Sequence, residues 1–151
     1  MAPQLRSAAE GDLDVLAALQ AAFHVEEGIP ADPPMFRRAF GQLLRDGSLG
    51  RAWLIEEGGA AVGYLVLTFG YSIEHGGRDA YLDELYVVPG QRGQGLGTQA
   101  LRMAEDTCRE FGIRVLLLEV GDANEPAAEL YRRAGFRDRG RRLMSKMVAP
   151  A

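Results

Sequence analysis

The sequence of 151 residues holds a single cysteine, Cys108, which excludes an intramolecular disulfide and any metal site built on several thiolates. Its first residues show no charged stretch followed by an apolar one, so no secretory leader is expected and a reducing cytoplasm is the expected compartment. Long apolar runs are missing as well. The nearest, Ala60 to Phe69 and Val115 to Leu118, fall short of the roughly 20 residues that span a bilayer, so membrane insertion is not expected. Positive charge is in deficit: the formal net charge of -4 sets the molecule as a whole against nucleic acid, and an anionic ligand would need a local feature to hold it. No internal repeat, low-complexity tract or linker interrupts the chain. Residues 1–151 are therefore expected to form one soluble domain, large enough to bury a core without disulfides or metal.

What is present reads as alternating strands and helices. Gln4 to Ser7 suits a short strand, and Asp12 precedes apolar residues at helical spacing from Leu13 to Phe23. Glu26 to Pro34 is rich in acid, glycine and proline and reads as a loop, after which Met35 to Leu44 resumes helical periodicity until Asp46-Gly47. Ala52 to Glu56 and Ala61 to Phe69 read as a hairpin turning at Glu57-Gly58-Gly59. Ala80 to Val88 is a further strand, stopped by Pro89-Gly90. A helix opens at Leu96, carries Ala100, Leu101, Ala104, Cys108 and Phe111 on one stripe, and ends at Gly112. Val115 to Leu118 fits a strand covered on both faces, Asn124 begins a last helix that Gly135 ends, and Phe136 to Val148 reads as two strands turning near Arg139-Gly140.

Gly90, Gly93, Gly95 and Gly97 crowd the junction between a strand and a helix. Bare backbone there lets successive N–H groups converge on one anion, the helix points its positive end into the same space, and Arg92 adds a charge, so a pyrophosphate is the natural guest. A P-loop is excluded, because no Gly-Lys-Ser/Thr ends the run. Gly95-Leu96-Gly97-Thr98-Gln99-Ala100 does match a dinucleotide fingerprint, with Glu119 near the place of its ribose-binding acid. Against that reading, Pro89 to Gln94 separate strand from glycines, and only about thirty residues follow Glu119.

The run Tyr81-Leu82-Asp83-Glu84-Leu85-Tyr86-Val87-Val88-Pro89, followed by Arg92-x-x-Gly95-x-Gly97, resembles the central signature of the GNAT superfamily of acetyl-coenzyme A-dependent N-acetyltransferases. Asn124-Glu125-Pro126-Ala127, with Leu130-Tyr131 and Gly135-Phe136, resembles the second signature of that family. The resemblance extends from Gln4 to Met147. It implies an α/β (α+β) fold with a mixed, mostly antiparallel sheet of about six to seven strands, splayed between the fourth and fifth and flanked by about four helices. It implies acetyl-coenzyme A as cosubstrate, with no metal, pantetheine pairing with the backbone of Leu85, Tyr86, Val87 and Val88, and pyrophosphate at the N–H groups of Gln91, Arg92, Gly93, Gln94, Gly95, Leu96, Gly97 and Thr98. Asn124 then lies close to the pantetheine arm, although a helix cap explains it equally.

Direct transfer needs a neutral amine, and an alkylamine with a pKa near ~10 is protonated at neutral pH, so some group must take its proton. Resemblance to polyamine-type members assigns this to Asp83, through a water. Neighbours in a strand point to opposite faces unless a bulge re-aims one, so Glu84 is either a substrate-side carboxylate or a buried, paired strand residue. Tyr131 suits the acid that protonates the leaving thiolate and lies beside the cofactor, the alternative being a core aromatic. Glu26, Glu27 and Asp32 fall in the loop that lines the acceptor side in GNAT enzymes, which hints at a cationic small-molecule amine; a solvated acidic loop is the alternative. Cys108 reads as a small core residue, His24 and His75 as surface residues without a role, and the arginines from Arg132 to Arg142 as an exposed basic face. Three readings stay open: a small-molecule amine acetyltransferase, a protein lysine or N-terminal acetyltransferase, and a non-catalytic acyl-coenzyme A sensor. A homodimer is compatible with the resemblance.

Overall fold

The computed structural model describes residues 2–150. They divide into two compact units, one running up to Glu119 and the other starting at Val120.

In the first unit the chain runs β1 (Gln4–Ser7), α1 (Leu13–Glu27), α2 (Pro33–Arg45), β2 (Gly50–Glu57), β3 (Ala60–Ser72), β4 (Gly77–Val87), α3 (Leu96–Glu110) and β5 (Val115–Leu117). Each strand pairs with its neighbours in chain order, giving one sheet β1-β2-β3-β4-β5. The first three pairings are antiparallel, β2-β3 and β3-β4 joined by short turns and β1-β2 through α1 and α2, and β4 with β5 is parallel, joined through α3. The hairpin glycines Gly58 and Gly59 turn at φ +60 and +82°, which only glycine adopts without strain.

Two cores separate the helices onto opposite faces of the sheet. Leu16 of α1 and Phe40 of α2 pack on Ala52, Leu54, Tyr64, Val66 and Tyr86. Leu96 and Ala100 of α3 pack on Ile55 and Val62, with Leu85 and Val87 at the border. β2 and β4 thus contribute alternate residues to the two layers, while on β3 Val62 joins one layer and Tyr64 and Val66 the other, beside the register shift at Ile55/Glu56. Cys108 is buried in the α3 stripe, and burial pushes its thiol up from the ordinary value, as expected of a core residue rather than a nucleophile. Gly63 has no room for a side chain, since a Cβ there would lie 2.2 Å from the Tyr86 carbonyl oxygen.

In the second unit, α4 (Glu125–Arg133) is capped by Asn124, whose side chain accepts from the Ala127 N–H at 3.3 Å. The two strands expected over Phe136 to Val148 do not form. Among the described residues the sheet has five strands, not six or seven, and the segment after α4 contains no ladder. Beyond Phe136 its apolar residues are exposed, Met144 and Val148 each at 89%. The alternation of apolar and charged residues was a propensity for extended chain, and a strand forms only where a neighbouring edge takes up its N–H and C=O groups.

Candidate active site

The carboxylates of β4 are placed by a register shift. Val66 of β3 faces Glu84 and Leu67 faces Leu82, so Asp83 is an extra residue on β4 with no counterpart, a β-bulge. Strict alternation would set Asp83 and Glu84 on opposite faces. Counting from Tyr81 opposite Thr68, and from Glu84 opposite Val66, the bulge brings both to the face covered by α1 and α2.

Their surroundings differ sharply. Glu84 Oε1 accepts from Gln20 Nε2 at 2.8 Å and from the Tyr64 hydroxyl at 3.0 Å, and Oε2 meets His24 Nε2 at 2.5 Å. The side chains of His24 and Glu84 are only 8% and 12% exposed. Hydrogen bonds to a charged group contribute roughly 1.5 to 3 kcal/mol each, and three together offset the cost of burying a carboxylate. Asp83 instead reaches the surface. Protein closes around its other sides, and this loss of hydration raises its carboxyl above the ordinary carboxylate range. The charges of Glu84 and Glu119 add to the rise and His24 opposes it. Tyr81 bonds Glu119 at 2.9 Å, and burial with that bond pushes its phenol up to about 12. Tyr64 is driven higher still, by burial first and Glu84 second.

β4 outlasts its parallel partner. Its last residue paired with β5 is Tyr81, opposite Leu117, so from Leu82 to Val87 one edge of the strand is open among the described residues. The Val88 N–H donates to the Val62 carbonyl, so the Val87 carbonyl points the other way, into the open edge. Arg92 reaches that carbonyl through Nε at 2.8 Å, stacks over Tyr86 at 5.6 Å, and pairs with Glu26 at 2.8 Å. The ion pair is exposed on both sides and contributes no more than about 1 kcal/mol, so Arg92 is held but releasable.

The strand leads into the glycine loop as expected. Gly93 and Gly95 take φ +80 and +83°, and Gly95 is the N-cap of α3. Leu96, Gly97 and Thr98 form the first turn, whose N–H groups have no acceptor within the helix. Leu96 buries its side chain in the core and offers the loop only its backbone. Gln91 and Gln94 flank the loop, with their side chains 3.4 Å apart.

Leu85 to Val88, Gln91 to Thr98, Asp83 and Glu84 are thus neighbours along one strand and the helix after it. Asn124 and Tyr131 belong to the second unit. There Asn124 caps α4, and the Tyr131 ring packs on Phe136 at 5.9 Å, edge to face. Of the acidic loop, Glu26 holds Arg92, Glu27 ends α1 exposed, and Asp32 caps α2 by accepting from the Met35 N–H at 3.2 Å. His75 bonds Ser72 in a turn.

His24 contradicts the expectation of a surface residue: it is buried at 6% exposure. With Gln20 it continues the buried stripe that starts at Leu16, each one helical turn from the last. Two polar residues at that spacing on an otherwise apolar stripe were the available signal for a buried polar cluster. Among the described residues no three metal-ligating side chains gather, and no helix is long and apolar enough to cross a membrane.

The model of the acetyltransferase (GNAT) family matches residues 14–136. Thialysine N-epsilon-acetyltransferase of Bos taurus is 37% identical over 82 residues, which are 54% of this chain and 48% of that protein. The match thus spans about half the length of that relative. Streptothricin acetyltransferase of Streptomyces lavendulae is 29% identical, over 88% of this chain and 80% of the other. Among solved structures, an integron cassette protein from the mobile metagenome of Cole Harbour Salt Marsh superposes with a TM-score of 0.88 at 41% identity, covering 98% of this chain and 92% of its own.

Proposed function

The chain belongs to the GNAT acetyltransferase family, and from that premise we propose that it forms one N-acetyltransferase domain over residues 1–151, moving the acetyl group of acetyl-coenzyme A directly to the primary amine of a cationic small molecule. The observation that carries this reading is the open edge of β4, running without a β5 partner into the glycine loop and the bare first turn of α3. The backbone of Leu85 to Val88 would pair with the pantetheine amides as an added strand would, and the N–H groups from Gln91 to Thr98 would hold the pyrophosphate. Arg92 exchanges its exposed contact with Glu26 for a phosphate oxygen.

Asp83 takes the proton of the bound ammonium, directly or through one water, because it is the carboxylate with surface access, while Glu84 is committed to three donors. The amine nitrogen then attacks the thioester carbonyl, forming the C–N bond. As the C–S bond breaks, the Tyr131 hydroxyl gives its proton to the departing sulfur, leaving amide and free thiol. Asp83, Glu84 and Glu119 gather negative charge around the site of attack, which favours acceptors carrying positive charge. Glu27 and Asp32 extend that field at the ends of α1 and α2, and Asn124 supports the pantetheine arm. The relatives named for thialysine and streptothricin support a small-molecule acceptor.

A thiol-release assay with acetyl-coenzyme A across diamines, polyamines, aminoglycosides and short peptides tests the reading. Turnover is expected with cationic small amines and to exceed that with peptides. Release confined to peptides contradicts the acceptor class, and saturable cofactor binding without release on any acceptor contradicts catalysis.

A further inference from the structure

The chemistry proposed above uses Asp83 and leaves a buried polar cluster behind it without a task. We propose that His24 is a positioning residue for acetyl transfer: with Gln20 and Tyr64 it clamps Glu84 as a buried anion directly behind Asp83, and the fixed charge of Glu84 makes Asp83 the stronger proton acceptor. This rests on the reading of Asp83 as the base.

Three observations carry it. The bulge places two adjacent carboxylates on one face, an arrangement that strict alternation avoids and that costs electrostatic repulsion. The donors on Glu84 come from two elements besides its own strand, Gln20 and His24 from α1 and Tyr64 from β3, so the clamp is built by the tertiary fold. Finally, His24 Nδ1 is buried with no partner. A hydrogen placed on Nδ1 would be a buried donor with nothing to accept it, so the imidazole hydrogen belongs on Nε2, where it is donated to Glu84. His24 thus acts as a hydrogen-bond donor to an anion.

On α1 the Phe23 ring lies 5.7 Å from the His24 ring. α2 presents the Phe36 ring to His24, edge on at 4.7 Å. On β4, Tyr86 packs against Tyr64, and the Tyr81 hydroxyl donates to Glu119. Glu119 adds a second negative charge felt by Asp83. A negative neighbour stabilises the protonated form of Asp83, so removing the charge of Glu84 lowers the pH at which Asp83 loses its proton.

The test is a carbon-13 carboxyl NMR titration of the full chain labelled at aspartate and glutamate, in wild type, Glu84→Gln, His24→Leu and His24→Gln, with the acid limb of kcat/KM as a second readout. Glu84→Gln is expected to lower the Asp83 midpoint by about one pH unit. His24→Leu removes two opposing influences on Asp83, the direct one that lowers its midpoint and the donor that fixes the charge of Glu84; the second is expected to prevail, moving the midpoint toward that of Glu84→Gln. His24→Gln, whose amide nitrogen can donate from nearly the place of Nε2, is expected to restore the wild-type midpoint. A merely structural role for His24 would change unfolding temperature and leave the Asp83 midpoint where it was. An unmoved midpoint in Glu84→Gln overturns the proposal, as does a His24→Gln midpoint that follows His24→Leu. Should His24→Leu not fold, His24→Phe, which keeps a ring and lacks the donor, takes its place, with the same shift expected and an unmoved midpoint overturning the proposal. Failure of the underlying reading shows separately, as turnover retained in Asp83→Asn while the midpoints shift as described.

Discussion

Asp83→Asn is expected to lower kcat/KM for the amine roughly 100- to 1,000-fold at neutral pH, with acetyl-coenzyme A affinity within about twofold of wild type. The amide keeps the size and shape of the carboxylate but cannot accept a proton. Because Asp83 reaches the surface, the substitution leaves no buried group exposed to a lost partner, and little stability is at stake. The loss should depend on pH in a defined sense. Asp83 must be ionised to act, and its proton affinity is raised by burial and by Glu84, so wild-type activity climbs with pH through a limb above the ordinary carboxylate range. The variant lacks that limb. As pH approaches the ~10 of the free amine, the acceptor is neutral without assistance and the two enzymes should converge. Steady-state kinetics from acid to alkaline pH, with thiol release as the readout, checks both the size of the loss and the convergence. A variant as active as wild type at neutral pH would remove Asp83 from the mechanism.

Tyr131→Phe should lower kcat about 100-fold while leaving the binding of acetyl-coenzyme A nearly unchanged. The variant keeps the ring, and with it the edge-to-face contact on Phe136 that the structure shows in the second unit. Only the hydroxyl is lost. A phenol with an ordinary pKa near ~10 can protonate a thiolate with a pKa near ~8.5, so its removal strands the leaving group as an anion. The split between kcat and cofactor affinity distinguishes this role from one in binding. Pre-steady-state turnover beside a calorimetric titration measures both quantities. Equal kcat in the two enzymes would return Tyr131 to the role of a core aromatic.

Where local chemistry decides the backbone, the sequence was a sufficient guide. Gly58-Gly59 and the run from Pro89 to Gly97 impose a tight turn and a loop at a helix start whatever surrounds them, and both are found. The four helices follow from apolar periodicity, with Asp12, Asn124, Gly112 and Gly135 at or just beyond their ends, but α1 runs on to Glu27 and α2 starts at Pro33, each inside the stretch from Glu26 to Pro34 that reads as a loop. Features that depend on a distant partner were not readable. The bulge at Asp83 is a relation between β3 and β4, so the neighbouring acids could be seen but not the face they share. His24 looked like a surface residue because its burial is explained by Glu84, sixty positions along the chain. The last segment erred in the opposite direction: the pattern from Phe136 to Val148 has the composition of strands but forms no ladder.

On the function proposed above, main-chain N–H groups at the start of α3, with the open edge of β4, seat acetyl-coenzyme A. The most direct test is an amide NMR titration of the labelled protein with that cosubstrate. Saturable shifts are expected, largest from Gly93 to Thr98, with slowed hydrogen exchange from Leu85 to Val88. A titration that does not saturate, or one whose shifts centre away from both segments, would contradict it.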